Sequence, residues 1–211
     1  MLKSDVFAAS IANLTDARYF AAREAKWLSF CLDSFSSNFV NPTEVKAIKE
    51  WVDGVFIVGE FGDVDHSEIE EAVERIGLDG VQAGPFTSKE AIQSLSVPVF
   101  KEFVIEPDTT LGSLEQSLKE YAEHVDYFLL DFVKNKVDLH EHTKIEISDI
   151  AELAKKFPLV LTPIWSAEKT TDFLEIVQPK ALLLRGGEEE KVGFKSFDEL
   201  DDILDQLEVI D

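Results

Sequence analysis

The residues of this chain best suited to chemistry follow three predicted strands. Asp131 ends the apolar segment Tyr-Phe-Leu-Leu-Asp, Lys101 lies within Val-Phe-Lys-Glu-Phe, and Arg185 ends Ala-Leu-Leu-Leu-Arg just before Gly186 and Gly187. A carboxyl group can transfer protons, a desolvated lysine can form a Schiff base, and a guanidinium beside exposed backbone amides suits phosphate or carboxylate. These residues predict a site for a small anionic ligand, provided that the fold brings the strand ends together.

Each of these residues also has a purely structural interpretation. An aspartate at a strand end often caps the following loop, and a Gly-Gly pair often makes a plain turn. Lys101 is expected to point into the site through its alternation with Phe100 and Glu102, which would permit aldolase-like chemistry. Alternatively, Lys101 and Glu102 lie on opposite faces and form ion pairs. The sequence leaves these alternatives open.

No metal or cofactor site is predicted. His140 and His142 are two residues apart and could share one face of a strand, but no third ligand has diagnostic spacing, so we interpret them as loop histidines. The turn after the first predicted strand is Ala-Ala-Ser-Ile-Ala-Asn rather than Gly-x-Gly-x-x-Gly, so a dinucleotide cofactor is not expected.

The elements that must position these residues alternate between short apolar strands and amphipathic helices, about eight of each. The strands are nearly continuous in apolar residues, which is typical of parallel strands covered on both faces. They are predicted to begin at Val6, Trp27, Gly54, Gly80, Pro98, Asp126, Pro158 and Ala181. Eight such units in 211 residues predict a single-domain (β/α)8 barrel over residues 1–211, with an open doubly wound sheet as the alternative.

Helix starts and faces are also visible in the sequence. Asn41 followed by Pro42 predicts a capped helix start with proline in the first turn, and Thr87 with Glu90 has capping-box spacing. Leucines 111, 114 and 118 recur at steps of three and four and predict an apolar stripe against the sheet.

Charge and composition exclude several classes of partner. Forty-two acidic against 20 basic residues give a formal net charge of -22, which repels nucleic acid and anionic membrane surfaces. No apolar run approaches the roughly 20 residues needed to cross a bilayer. The single cysteine, Cys31, cannot form an internal disulfide and is interpreted as a buried small apolar residue. Without a recognisable signal segment, we expect a cytoplasmic protein, either a monomer or a homodimer.

Six segments, in order along the chain, resemble the phosphoribosylanthranilate isomerase family, whose members are small barrel enzymes of tryptophan biosynthesis. They are Asn-Leu-Thr-Asp-Ala from Asn13, Ser-Asn-Phe-Val-Asn-Pro from Ser37, Leu-Asp-Gly-Val-Gln from Leu78, Pro-Val-Phe-Lys from Pro98, Tyr-Phe-Leu-Leu-Asp from Tyr127, and the stretch from Arg185 to Phe197. The resemblance implies an Amadori rearrangement that converts a phosphoribosyl amine from an aminoaldose to an aminoketose.

The resemblance also shows where this chain departs from the family. It assigns the general acid to Asp131, and burial would have to raise the pKa of this carboxyl group for that role. It assigns the general base to a cysteine at the position of Ala9, and an alanine side chain cannot carry a proton. The phosphate would bind after strands seven and eight, where Pro163 offers no amide hydrogen but Gly186 and Gly187 remain. We therefore expect a diverged family member with weak or altered activity, or alternatively a non-catalytic barrel that binds a ligand or another protein.

Overall fold

A computed structural model of the chain describes residues 3–139, 143–162, 167–186, 189–191, 194–195 and 197–208. Eight parallel strands close into a barrel in which each strand pairs with its neighbours in chain order and β8 returns to β1. The barrel strands are β1 (Asp5–Ala9), β2 (Trp27–Cys31), β3 (Phe56–Phe61), β4 (Gly80–Ala83), β5 (Val99–Val104), β6 (Tyr127–Asp131), β7 (Leu159–Leu161) and β8 (Ala181–Arg185). The predicted (β/α)8 barrel is confirmed, and the open-sheet alternative is wrong.

Helices connect successive strands and surround the barrel. They are α1 (Leu14–Ala22), α2 (Pro42–Lys49), α3 (His66–Ile76), α4 (Lys89–Ile92), α5 (Leu111–Tyr121), α6 (Ile147–Ala154), α7 (Ala167–Val177) and α8 (Asp198–Leu207). Two short antiparallel strands, β9 (Glu189–Lys191) and β10 (Phe194–Lys195), lie between β8 and α8. Within the described residues, no helix combines the length and apolar character that a membrane span requires.

The helix starts follow local capping chemistry. Asn41 accepts a hydrogen bond from the Thr43 amide at 2.9 Å, and Pro42 begins α2, as predicted. The start of α4 differs by one residue, because Ser88 rather than Thr87 caps the helix. The Thr87 hydroxyl instead donates to the Gly62 carbonyl at 2.7 Å and so ties the β4–α4 loop to the end of β3.

The core has two layers separated by the sheet. Side chains between the sheet and the helices form the larger clusters, which include Leu114 and Leu118 from the predicted apolar stripe of α5. Inside the barrel, inward residues of β1 to β3 and of β5 to β8 pack together. Phe100 is central to this inner layer, since its ring stacks on Tyr127 at 4.5 Å and lies 4.9 Å from Phe7, measured between ring centroids.

Replacing Phe100 by alanine should destabilise the protein strongly, because its completely buried ring fills the barrel interior. We expect the free energy of unfolding to fall by about 3–5 kcal/mol, the usual cost of removing a core aromatic ring. Phe35, whose side chain is 98% exposed, is the matched control, and Phe35→Ala should change stability by less than about 0.5 kcal/mol. Urea unfolding measures both, and equal midpoints would contradict the inner-layer position of Phe100.

Candidate active site

Five charged side chains gather at the mouth of the barrel, where the carboxyl ends of the strands converge. We call them the mouth cluster, and they are Glu60 at the end of β3, Glu102 on β5, Asp131 at the end of β6, Lys134 in the β6–α6 loop and Arg185 at the end of β8. Strand alternation explains the convergence, because Val58, Phe100, Leu129 and Leu183 on the same strands all belong to the inner layer two residues earlier.

Asp131 is the centre of the cluster. Its side chain is completely buried, and its Oδ2 accepts a hydrogen bond from the Arg185 guanidinium at 2.6 Å. Its Oδ1 accepts hydrogen bonds from the backbone amides of Val133 at 2.8 Å and Lys134 at 3.0 Å. Asp131 therefore faces the mouth with one oxygen and caps the following loop with the other, so the loop-capping interpretation is confirmed, while the role as a general acid stays a prediction.

The protonation of Asp131 differs from the expectation for a general acid. Burial alone would raise its pKa, but the Arg185 charge, the Lys134 amide and hydrogen bonds from Glu102 and Arg185 outweigh burial and leave the pKa below its ordinary value. The expected upward shift is wrong, because Arg185 pairs with this carboxylate at 2.6 Å, a contact that was not predicted. Asp131 is ionised at neutral pH.

Glu102 is the neighbouring carboxyl group whose pKa shifts in the opposite direction from that of Asp131. Burial raises the pKa of Glu102, the nearby Asp131 charge raises it further, and Lys134 partly offsets both. Lys134 binds Oε1 of Glu102 at 2.5 Å, whereas no N–H or O–H donor in the described part of the chain reaches the buried Oε2. The pKa values of these two neighbouring carboxyl groups therefore shift in opposite directions, upward for Glu102 and downward for Asp131, so Glu102 is the one that binds a proton more readily.

Glu60 completes the acidic side of the cluster from β3. It is partly buried, and burial raises its pKa, while the charges of Lys134 and Arg185 lower it. Because Val58, two residues earlier on β3, belongs to the inner layer, strand alternation directs the Glu60 carboxyl group to the common mouth. Sequence reasoning missed both Glu60 and Glu102, although each occupies an inward position near the carboxyl end of its strand.

Lys101 does not lie in the mouth. Phe100 belongs to the inner layer, so Lys101 points outward, where its ammonium donates to the backbone carbonyls of Gly84 and Pro85 and lies 5.3 Å from the Tyr121 ring. Burial lowers the pKa of Lys101 to about 8. The expected inward orientation is wrong. Lys101 and Glu102 lie on opposite faces, as in the alternative, but Glu102 forms its ion pair with Lys134, whereas the Lys101 ammonium binds backbone carbonyls instead.

The remaining predicted residues are placed as follows. The Gly186 amide donates to the Ala9 carbonyl at 3.4 Å, continuing the pairing between β8 and β1. Gly187, Pro163, His140 and His142 lie outside the described residues. Cys31 is buried, as predicted, and burial raises the pKa of its thiol. In the ranges that the structure describes, no group of three or more potential metal ligands occurs.

A cavity of about 590 Å³ opens on the β5 side of the mouth. Glu102 and Lys134 of the mouth cluster are among its lining residues, and Phe86, Phe103 and Ile105 contribute apolar walls. Other cavities include one of about 500 Å³ at the amino-terminal end of the barrel, lined by Lys3 and Lys180 among others, away from the mouth cluster. The cavity beside Glu102 is large enough for a small ligand.

The described geometry agrees with comparisons to known proteins. The family model for N-(5'phosphoribosyl)anthranilate (PRA) isomerase matches residues 8–206. Solved structures of phosphoribosyl anthranilate isomerases are similar along nearly their whole length. That from Thermotoga maritima has a TM-score of 0.79 at 21% identity, with 97% of this chain and 98% of that chain covered. That from Thermus thermophilus has a TM-score of 0.75 at 25% identity, with 96% and 98% covered.

A third similar structure contains a ligand. It is a phosphoribosyl anthranilate isomerase in complex with reduced 1-(o-carboxyphenylamino)-1-deoxyribulose 5-phosphate, with a TM-score of 0.77 at 22% identity and 97% and 98% of the two chains covered. No functionally curated protein shows significant sequence similarity to the chain.

The Lys134→Met substitution should raise the pKa values of Glu60 and Glu102, because Lys134 is the strongest charge favouring ionisation of both. Carboxyl carbon chemical shifts followed by NMR during a pH titration would measure this. Both groups then bind protons more tightly in the folded than in the unfolded chain, so stability should fall more steeply as pH rises above about 4.3. Lys136→Met, an exposed change in the same loop, is the control. Unchanged titrations in Lys134→Met would contradict the described cluster.

Proposed function

Since the chain belongs to the N-(5'-phosphoribosyl)anthranilate isomerase family, we propose that its mouth binds a small anionic ligand derived from a phosphorylated sugar and catalyses an aldose-to-ketose isomerisation with altered proton-transfer groups. The family match supports the reaction type. The ligand named in a similar structure, a deoxyribulose 5-phosphate derivative, supports the ligand class. The altered groups follow from Ala9, which cannot act as the base.

The observation that carries this proposal is the 2.6 Å contact between Asp131 and Arg185 beside Glu102, whose pKa is raised by burial. A reaction of this kind begins when an acid protonates the ring oxygen of the sugar, so that the bond between this oxygen and C1 breaks. In our proposal the pair of Glu102 and Asp131 supplies that proton. The raised pKa of Glu102 makes it the better proton donor of the two, and Asp131 relays the proton from the strand end that matches the family acid.

Arg185 has two roles in this proposal. In the free protein it neutralises Asp131, and its side chain remains 30% exposed at the mouth. When an anionic ligand enters, the remaining guanidinium donors can bind a phosphate or carboxylate oxygen. The Gly186 amide is directed to Ala9, so the guanidinium rather than this amide is the donor that we assign to the ligand. Gly187 remains a predicted contributor.

A second function, a non-catalytic binding barrel, is favoured by a different observation. The position of the family base is Ala9, and Cys31, the only cysteine of the chain, has a thiol whose pKa is raised by burial, so neither residue supplies a thiolate base. A barrel of this kind would bind the ligand without converting it. Binding and turnover must therefore be measured separately.

The purified protein should convert phosphoribosylanthranilate slowly, which the loss of substrate fluorescence measures. Asp131→Asn should lower kcat by about 10²–10⁴-fold, the usual contribution of one proton-transfer group. Arg185→Met should weaken binding about 10-fold or more, since charge-assisted hydrogen bonds contribute about 1.5–3 kcal/mol. Near-ultraviolet circular dichroism checks that each variant is folded.

The matched control is Asp108→Asn, which removes an exposed carboxylate from the β5–α5 loop and should leave both constants within about twofold. Calorimetric binding of the reduced deoxyribulose 5-phosphate derivative separates the two functions. Binding without turnover would support the non-catalytic barrel, and the absence of both would reject a sugar-phosphate site at this mouth.

A further inference from the structure

The mouth contains one carboxyl group that the contacts described above leave uncommitted. Asp131 is bound by Arg185 and two loop amides, and Glu102 is bound by Lys134. Glu60, by contrast, has no hydrogen-bond donor within reach of its carboxyl oxygens in the described ranges, although it lies within electrostatic range of Lys134 and Arg185. A carboxylate without fixed partners is free to accept a proton from a ligand.

The position of Glu60 in the barrel is also suited to a base. The closed strand order places β1 three strands from β6 in one direction, through β7 and β8. It places β3 three strands from β6 in the other direction, through β5 and β4. The end of β3 is therefore as far around the barrel from Asp131 as is the end of β1, where Ala9 has replaced the base expected from the family.

We propose that Glu60 is the general base of this protein and removes the proton from C2 of the ring-opened substrate. This inference rests on the proposed function and assigns the residue that replaces the missing base. After ring opening, the substrate is an iminium ion with a C1=N bond. Glu60 takes the C2 proton, the C2–H electrons form a C1=C2 bond, and the C1=N electrons return to nitrogen.

The isomerisation is then completed without any other reactant. The resulting enol loses its hydroxyl proton as the C2=O bond forms, and the C1=C2 electrons accept the proton held by Glu60 at C1. Overall, one hydrogen moves from C2 to C1. The proton lost by the hydroxyl group returns to the site and replaces the proton that was consumed in ring opening. No oxidant or reductant is required, and Glu60 ends the cycle ionised.

The surroundings of Glu60 support this role. The charged and titratable groups that face it are Asp33, Cys31, Asp131, Lys134 and Arg185. Burial outweighs the two cations and raises the pKa of Glu60, which makes the carboxylate a stronger base than an exposed glutamate. Cys31, its register partner on β2, keeps its proton because burial raises the pKa of the thiol.

The test uses the full chain, phosphoribosylanthranilate as substrate and the reduced deoxyribulose 5-phosphate derivative as the binding probe. Glu60→Gln should lower kcat by about 10²–10⁴-fold and change the Kd of the probe by less than about threefold, because only proton transfer is lost. Retained probe binding also shows that the variant is folded. Glu60→Asp should recover part of the activity, and Glu74→Gln, an exposed change on α3, should have none of these effects.

The pH profile distinguishes a base from a structural residue. In the wild-type protein, the pKa read from the acid limb of the kcat/KM profile should lie above the ordinary glutamate range. In Glu60→Gln this acid limb should disappear. Adding Ala9→Cys to Glu60→Gln should restore activity with an acid limb nearer the cysteine range of about 8.5. If the wild type turns over substrate and Glu60→Gln keeps its rate, the assignment of Glu60 is wrong while the proposed function stands. If the wild type neither binds nor converts substrate, both fail.

Discussion

The burial of the Asp131 carboxylate is the constraint on which the mouth depends. An ionised carboxylate without solvent exposure costs several kcal/mol unless charges and hydrogen bonds compensate for it. Arg185 reaches it from β8, and the amides of residues 133 and 134 reach it from the following loop. These contacts connect β6 to β8 across β7 and fix the start of the β6–α6 loop. Because the loop is fixed, Lys134 lies over Glu102, and the second carboxyl group acquires its own partner.

The charge balance of the mouth cluster follows from these contacts. With every member ionised, three carboxylates would face two cations, in a chain whose formal net charge is already -22. Burial and neighbouring carboxylates raise the pKa values of both Glu60 and Glu102, so this cluster favours binding a proton. With one proton bound, two carboxylates would face two cations, and a cluster that is neutral in sum repels an anionic ligand much less than the rest of the molecule does. A proton on Glu102 would therefore serve both the proposed acid chemistry and the admission of a negatively charged ligand.

The sequence was sufficient for the barrel and for the presence of Asp131 and Arg185 at one mouth, although not for their pairing, because apolar strands ending in charged residues converge at one face of this fold. It was insufficient for Lys101 and Glu102. Strands covered on both faces are apolar at every position, so they carry no alternation from which the inward residues can be deduced, and an error of one position exchanges the two faces. The stacking of Phe100 on Tyr127 inside the barrel determines the orientation, and that contact joins different strands. Glu60 was missed for the same reason.

Replacement of the expected base by Ala9 need not abolish proton transfer in a fold of this kind. Every inward residue at the carboxyl end of a strand borders the same mouth, so a functional group lost from one strand can be replaced from another without a change in the backbone. Glu60 on β3 and Ala9 on β1 are equally distant from β6 in strand order but on opposite sides of it. A base on β3 would require the C2–H bond of the substrate to face β3 instead of β1. The orientation of the bound ligand, rather than the fold, would therefore have to differ from that in relatives with a base on the first strand.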